Sequence, residues 1–357
     1  MKPTKTIPHN MRKFLATTYL VLLSALFLPA FSQVDFEFWF AAPYASQQHN
    51  PNALGPGGRP IYLHVATQDA PATIEISMPA DPTFPVITLN LAAQKSDSVN
   101  LTPYLSKIQS SNQGNVIENK GLYIRSNALI TAYYEISSVL NGDFFSLKGQ
   151  NALGREFYAP LQNKYNNSDY HSINHNDPYG LYTVADPAYS YIIITATENN
   201  TEVSITPTGN AVGIPAGTTK TVLLNKGQTY VVRSVNELQM PRLGGTKITS
   251  TKDVAVTVGD DSMFPQDFTV NNDCEDYAGD QIVPTSIIGK EYWVVKGQGY
   301  KLGTTGSSAG KEYTEYVFVT ATQANTQIFI DGSFHTTLNA GQQVAIDLGG
   351  PTTSNYK

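Results

Sequence analysis

The sequence predicts an all-β protein made of tandem antiparallel β-sandwich-like units. Three observations carry that expectation. Tyr occurs 21 times and Phe 15 times, beside runs of Thr, Val and Ile, the residue types that fit a pleated, half-buried surface. Short stretches alternate apolar and polar residues and are bounded by Asn, Asp and Gly turns. Whole elements also recur in the same order at spacings near 125 residues. The one helical pattern after the leader, around residues 103–109, is weak and sets up no βαβ rhythm, which argues against a Rossmann or barrel scaffold. A propeller would repeat every ~40–50 residues, far short of the spacing here.

Residues 1–32 read as a secretory leader. Lys2, Lys5, Arg12 and Lys13 precede an almost wholly apolar run over residues 14–31, and Ala30-Phe31-Ser32 places small residues where a signal peptidase reads them. Gln33 is then the first mature residue. An uncleaved membrane anchor is the alternative, for which this run is short, and no later segment is long and apolar enough to span a bilayer. The leader holds four basic and no acidic residues. The mature chain therefore keeps 19 basic against 29 acidic residues, a net charge of −10. Such a balance does not suit nucleic acid. Cys274 is the only cysteine, so no intrachain disulfide framework exists; it is a buried small hydrophobe, an exposed thiol or half of an intermolecular bridge.

Three kinds of element repeat. A hairpin appears at residues 65–76, 195–205 and 320–330, and the last two share Thr-Ala-Thr before the turn and Asn-Thr after it. A glycine-led pair of short strands around a polar turn appears at residues 121–132 and 245–258. A Glu-aromatic stretch opens each copy at Glu37, Glu156 and Glu291. The chain accordingly divides into a leader (1–32) and three β units at 33–148, 149–285 and 286–357. The third unit lacks the later strands of the second, and the expectation is that the sequence is a fragment of a longer protein. Within the second unit, strands fall at about residues 155–159, 189–197, 201–206, 218–224, 229–235, 245–250 and 253–259, with turns at Asn199-Asn200, Asn225-Lys226-Gly227 and Thr251-Lys252.

Two stretches offer candidate sites. Residues 164–182 are polar and aromatic, and His171, His175 and Tyr179 are the ligand-binding candidates there. The two histidines are four apart, but Asn174, Asn176, Asp177 and Pro178 around them read as loop, so the stretch is a ligand-binding loop, an ordinary surface excursion or, with a third ligand such as Asp169, Asp177 or Asp186, a metal site. Residues 260–280 hold seven carboxylates, which face water or share a cation. Asp260, Asp261, Asp273, Asp276 and Asp280 are the metal candidates, with Ca2+ as the ion that accepts such oxygen ligands, although no EF-hand spacing is present. No other cofactor is implied. Nucleophile elbows, zinc motifs, dinucleotide loops and phosphate loops are all missing from the sequence, so no enzyme is expected.

The block from Cys274 through Gly279-Asp280-Gln281, Pro284 and Gly289-Lys290-Glu291-Tyr292 resembles the IgGFc-binding protein N-terminal domain family. The hairpin at residues 195–205, Gly227-Gln228-Thr229-Tyr230 and the stretch from Gly245 to Val258 fit the same family in the same order. The resemblance implies an extracellular all-β module without catalytic residues, of a kind found in a mucus-associated animal protein and in large secreted or surface proteins of Bacteroidota. The function it implies is adhesion or binding at the cell surface or after secretion. An extracellular glycan, a glycoprotein or another surface protein would be the partner. The competing reading is a carbohydrate-binding or carbohydrate-active β-sandwich protein that uses Trp39, Trp293 or loop tyrosines as stacking faces.

Overall fold

Alternation in the sequence becomes alternation of burial. In the strand Ile-Tyr-Leu-His-Val-Ala-Thr at Ile61–Thr67, Ile61, Leu63 and Val65 are buried while Tyr62, His64 and Ala66 face partly outward. Each such burial contributes about 1.5–3 kcal/mol. The computed structural model describes residues 33–45, 60–137, 143–167, 187–237, 242–264, 276–295, 315–348 and 355–356. The chain falls into two units, Met1–Ser32 and Gln33–Lys357. The first, with the expected leader, lies outside the described residues.

The first sheet comprises β1 (Asp35–Phe40), β2 (Ile61–Thr67), β3 (Ala72–Ser77), β4 (Ile87–Leu91), β5 (Ser96–Asn100), β7 (Leu122–Ile136) and β8 (Asp143–Ser146). Its order is β4-β3-β7-β2-β5, and β1 and β8 also pair with β7. The second sheet comprises β9 (Gly154–Tyr158), β10 (Asn166–Asn167), β11 (Ser190–Ala196), β12 (Thr201–Thr206), β13 (Lys220–Leu224), β14 (Thr229–Arg233), β15 (Lys247–Phe264) and β16 (Asp276–Ile282). It also takes in β6 (Val116–Glu118) at its edge. Its order is β13-β12-β15-β11-β14-β6, with β9, β10 and β16 pairing β15. Both sheets curl into antiparallel sandwich-like units around one long strand.

Further along lie β17 (Val294–Val295), β18 (Tyr316–Thr320), β19 (Thr326–Ile330), β20 (Ser333–Leu338), β21 (Gln343–Asp347) and β22 (Asn355–Tyr356). They form three two-stranded ladders, β17–β22, β18–β21 and β19–β20.

The long strands differ from expectation. Sequence suggested two strands around a polar turn at Thr251-Lys252, yet β15 runs through it. The polar residues serve the strand's passage across the mouth of the β11–β12 hairpin: Thr251 Oγ1 accepts the Glu202 N–H at 3.0 Å, and Ser250 Oγ donates to the Lys252 carbonyl. In β7 the equivalent Asn127 Oδ1 accepts the Thr73 N–H at 2.8 Å. A run that reads as a turn is thus a cap on a neighbouring hairpin.

β11 is buried at every position. Ile192, Ile194 and Ala196 join Val203, Val256 and Phe157 in the second core, while Tyr191 and Ile193 pack on the opposite side with Ala41 and Val231. The first core gathers Phe38, Phe40, Ile74, Ile124 and Tyr134, and Tyr277 of β16 reaches into it. A short helical turn, α1 (Leu105–Ile108), stands where the weak helical pattern was read.

Candidate functional site

The two sheets meet at a glycine pair. The Gly121 N–H donates to the Gly227 carbonyl at 3.0 Å, and a Cβ on Gly121 would lie 2.7 Å from that oxygen. Gly227 has φ +79°, and its own Cβ would lie 2.8 Å from the Ala80 nitrogen. Beside this contact opens a cleft of about 480 Å3, lined by Pro79, Ala80, Asn119, Asn199, Asn200, Asn225, Lys226 and Gln228.

Hydrogen bonds fix which way the amides of the cleft point. Asn199 Oδ1 accepts the Lys226 N–H at 3.0 Å and Asn225 Oδ1 accepts the Asn200 N–H at 3.2 Å. Gln228 Oε1 accepts the Asn225 N–H at 2.8 Å, and its Nε2 donates to Asn119 Oδ1 at 3.1 Å. The side-chain oxygens of Asn119, Asn199, Asn225 and Gln228 are therefore engaged. Among the described residues, Nδ2 of Asn119, Asn199 and Asn225 has no protein partner, so the cleft offers donors. Lys226 adds a charge: its Nζ lies 5.5 Å from the ring centroids of both Trp39 and Tyr123, which stack 4.4 Å apart. It has no carboxylate partner among the described residues.

Much of this turn is structural. Asn339, Asn325 and Gln342 repeat the hydrogen bonds of Asn225, Asn200 and Gln228 between β20 and β21, with Asn325 at φ 55° beside φ 56° at Asn200. What the third set lacks is Lys226, which Ala340 replaces. Lys226 and Asn119 are the side chains that turn closure does not explain. Sequence reading passed over them because Asn119 reaches the cleft only through the fold.

The described parts of the acidic stretch are two strand arms. β15 continues to Phe264 and β16 begins at Asp276, so Asp260, Asp261, Asp276 and Asp280 lie on hairpin arms. Asp260 is buried against Arg242, whose Nη1 lies 2.7 Å from Asp260 Oδ1. Ser190 Oγ and Asn167 Nδ2 donate to the same oxygen at 2.9 and 2.6 Å, and Gln162 Nε2 donates to Oδ2 at 2.5 Å. Asp261 is also buried, and Asn167 Nδ2 donates to its carbonyl. Asp280 pairs instead with Lys148, Nζ to Oδ2, at 2.6 Å. Asp260 and Asp280 therefore pair with different basic side chains of the chain. Among the described residues, no group of three His, Cys, Asp or Glu side chains is placed to hold a metal ion. Asp273, His171, His175, Tyr179 and Cys274 lie outside the described residues. Arg242 carries no motif that would have marked it; only the fold sets it beside Asp260.

Burial pushes the phenols of Tyr191 and Tyr277 well above the usual range, and the charge of Asp261 adds to this. Of the proposed stacking faces, Trp39 is 4% exposed, which removes it from use by a ligand. Trp293 is 71% exposed.

Comparison with known proteins gives one family. The family model described as IgGFc binding protein matches residues 145–356. No curated protein matches the chain. Two solved structures are similar in part. The Bifidobacterium dentium β-glucuronidase complexed with coumarin-3-O-glucuronide shares 9% identity over 74% of this chain and 40% of its own, at a TM-score of 0.14. The Bacteroides uniformis β-glucuronidase 2 covalently bound to cyclophellitol-6-carboxylate aziridine shares 10% identity over 70% of this chain and 31% of its own, at a TM-score of 0.13. The chain thus spans less than half of either enzyme, and likenesses at that level carry no argument about fold or activity.

Proposed function

The chain belongs to the IgGFc binding protein family, and from that premise we propose that it acts outside the cell as a non-catalytic binding module of tandem β units at residues 33–148, 149–285 and 286–357. No helix among the described residues is long and apolar enough to cross a membrane. The ligand we propose is an oxygen-rich glycan or glycoprotein, held in the cleft beside the Gly121–Gly227 contact. One observation carries this reading. The side-chain oxygens of Asn119, Asn199, Asn225 and Gln228 are engaged within the protein, whereas Nδ2 of Asn119, Asn199 and Asn225 and the Lys226 ammonium are available, an array suited to hydroxyl, carbonyl and carboxylate oxygens.

Tandem units would let several weak contacts act together. The test is to pass the full chain over an array of glycans and mucin glycoproteins, with IgG Fc as one further arm, and to analyse the bound ligands for cleavage. Retention that Lys226→Ala weakens, with ligands recovered intact, supports the reading. Retention indifferent to Lys226→Ala moves the site elsewhere, and cleavage products overturn the non-catalytic assignment. A signal on the Fc arm alone would replace the glycan with the immunoglobulin.

A further inference from the structure

Around the amide-lined cleft the charges of the chain answer one another, with one exception. Asp81, next to the lining Ala80, pairs with Lys107 at 2.9 Å. Lys120 and Glu118, on either side of Asn119, lie 3.4 Å apart, and Glu198, next to Asn199, lies 3.6 Å from Lys252. The Tyr123 hydroxyl donates to Glu37. Lys226 is the charged member of the cleft lining, and among the described residues no carboxylate answers it. The cleft is thus locally positive on a chain whose net charge is −6.

Turn closure does not require that charge. The matching turns place Ala93 before Gln94 (φ 57°) and Ala340 before Gly341 (φ 80°), where Lys226 precedes Gly227 (φ 79°). The three turns correspond bond for bond: the Thr67, Ala196 and Ala321 N–H groups donate to the carbonyls of Lys95, Gln228 and Gln342 at 2.9, 3.0 and 2.9 Å. Nor does the fold neutralise the lysine. Its Nζ lies 5.5 Å from the ring centroids of both Trp39 and Tyr123, and a cation held beside aromatic rings keeps a full charge for a ligand, which one paired with a carboxylate does not. The rings also settle the side chain beforehand, so less rotamer freedom is lost on binding.

We propose that the glycan taken by this cleft is an acidic one, its carboxylate or sulfate group held by Lys226 and its neighbouring oxygens by the free amide nitrogens. The proposal rests on the cleft reading under Proposed function and narrows it. An ionised carboxylate or sulfate only accepts hydrogen bonds. That matches a lining in which the side-chain oxygens of Asn119, Asn199, Asn225 and Gln228 are engaged and the available groups are donors. A neutral sugar would meet the amides but leave the ammonium without a counter-charge, whereas an anion there makes charge-assisted hydrogen bonds, roughly twice as strong as neutral ones. The rest of the surface is net negative and repels the same ligand, so recognition depends on this one cation and weakens with salt.

The test measures binding of the full chain to matched pairs of immobilised glycans: uronic-acid oligosaccharides beside their carboxyl-reduced forms, and sulfated oligosaccharides beside their desulfated forms. The site predicts binding of an acidic member at least about tenfold tighter than of its neutral partner, a preference that fades as salt is raised. Lys226→Gln, which the alanines of the matching turns show to be compatible with turn closure, should abolish the preference, and Lys226→Arg should keep it. The pair that shows the preference identifies the anion as carboxylate or sulfate. Equal binding of acidic and neutral members that still depends on Lys226 would overturn the acidic assignment and leave the glycan reading standing. Absence of binding to every member would overturn both. An acid preference that survives Lys226→Gln would overturn the assignment as well, by placing the anion elsewhere.

Discussion

Gly121 and Gly227 touch backbone to backbone where the first sheet meets the second, the Gly121 N–H donating to the Gly227 carbonyl at 3.0 Å. The close approach recurs one unit later: a Cβ on Gly245 would lie 1.9 Å from the Gly341 oxygen. Gly121 and Gly245 each stand three residues before the isoleucine that pairs with the hairpin, Ile124 and Ile248. Gly227 and Gly341 occupy the same place in their turns. One joint is therefore used twice.

Two glycines with the same backbone hand test the joint. Gly227 has φ +79° and meets Ala80; Gly217 has φ +72° and has nothing within 4 Å. Alanine at either site pays the left-handed penalty of about 1–2 kcal/mol. At Gly227 it also overpacks the joint, adding about 1–3 kcal/mol. Urea unfolding of the two variants should rank Gly227→Ala clearly below Gly217→Ala, and equal midpoints would refute a tight joint there.

Removing one member of the Arg242–Asp260 pair strands the other in the interior. Asp260→Ala or Arg242→Met alone should cost about 3–5 kcal/mol, and the double variant should lose less than the two single losses combined. Denaturant midpoints of the three variants decide it; strict additivity would mean the two side chains do not act as a pair.

High pH should unfold the chain through its buried phenols. Burial pushes Tyr123 up to about 12, aided by the carboxylate of Glu37, and burial alone pushes Tyr230 up to about 12. The folded state favours the neutral form, so this stability is intact below the ordinary tyrosine range near ~10. It is lost as pH rises from there through about 12, and Tyr191 and Tyr277 extend the loss further. Tyrosinate absorbance and circular dichroism, followed together, should show a set of tyrosines that ionises only as secondary structure disappears. Complete ionisation with an unchanged dichroism spectrum would contradict the burial.

Much of the fold was legible because short amphipathic strands announce themselves. The pattern at residues 201–206 places Val203 and Ile205 inside, and there they lie. The repeated Thr-Ala-Thr hairpin likewise marks β11–β12 and β18–β19 in the sequence. The continuous long strands were hidden because Thr251 and Asn127 look like turn residues, and their use as caps depends on a neighbouring hairpin. The site was less legible still. Asp260 reads as one carboxylate among seven, but Arg242, Ser190, Asn167 and Gln162 surround it only after folding. Lys226 reads as a turn lysine, and its distinction emerges from Trp39 and Tyr123 beneath it and from Ala340 at the matching turn.

The central claim is that one strand plan recurs along the chain, a long strand tying two hairpin ladders together in each of the first two sheets. Amide hydrogen exchange on the full chain, read strand by strand, measures this most directly. The account predicts slow exchange along both β2 and β11, which are paired on two sides, and exchange at least tenfold faster for the outward-facing alternate amides of the edge strands β4 and β13. Protection of the outward-facing amides of β4 and β13 equal to that of β2 and β11 would contradict it.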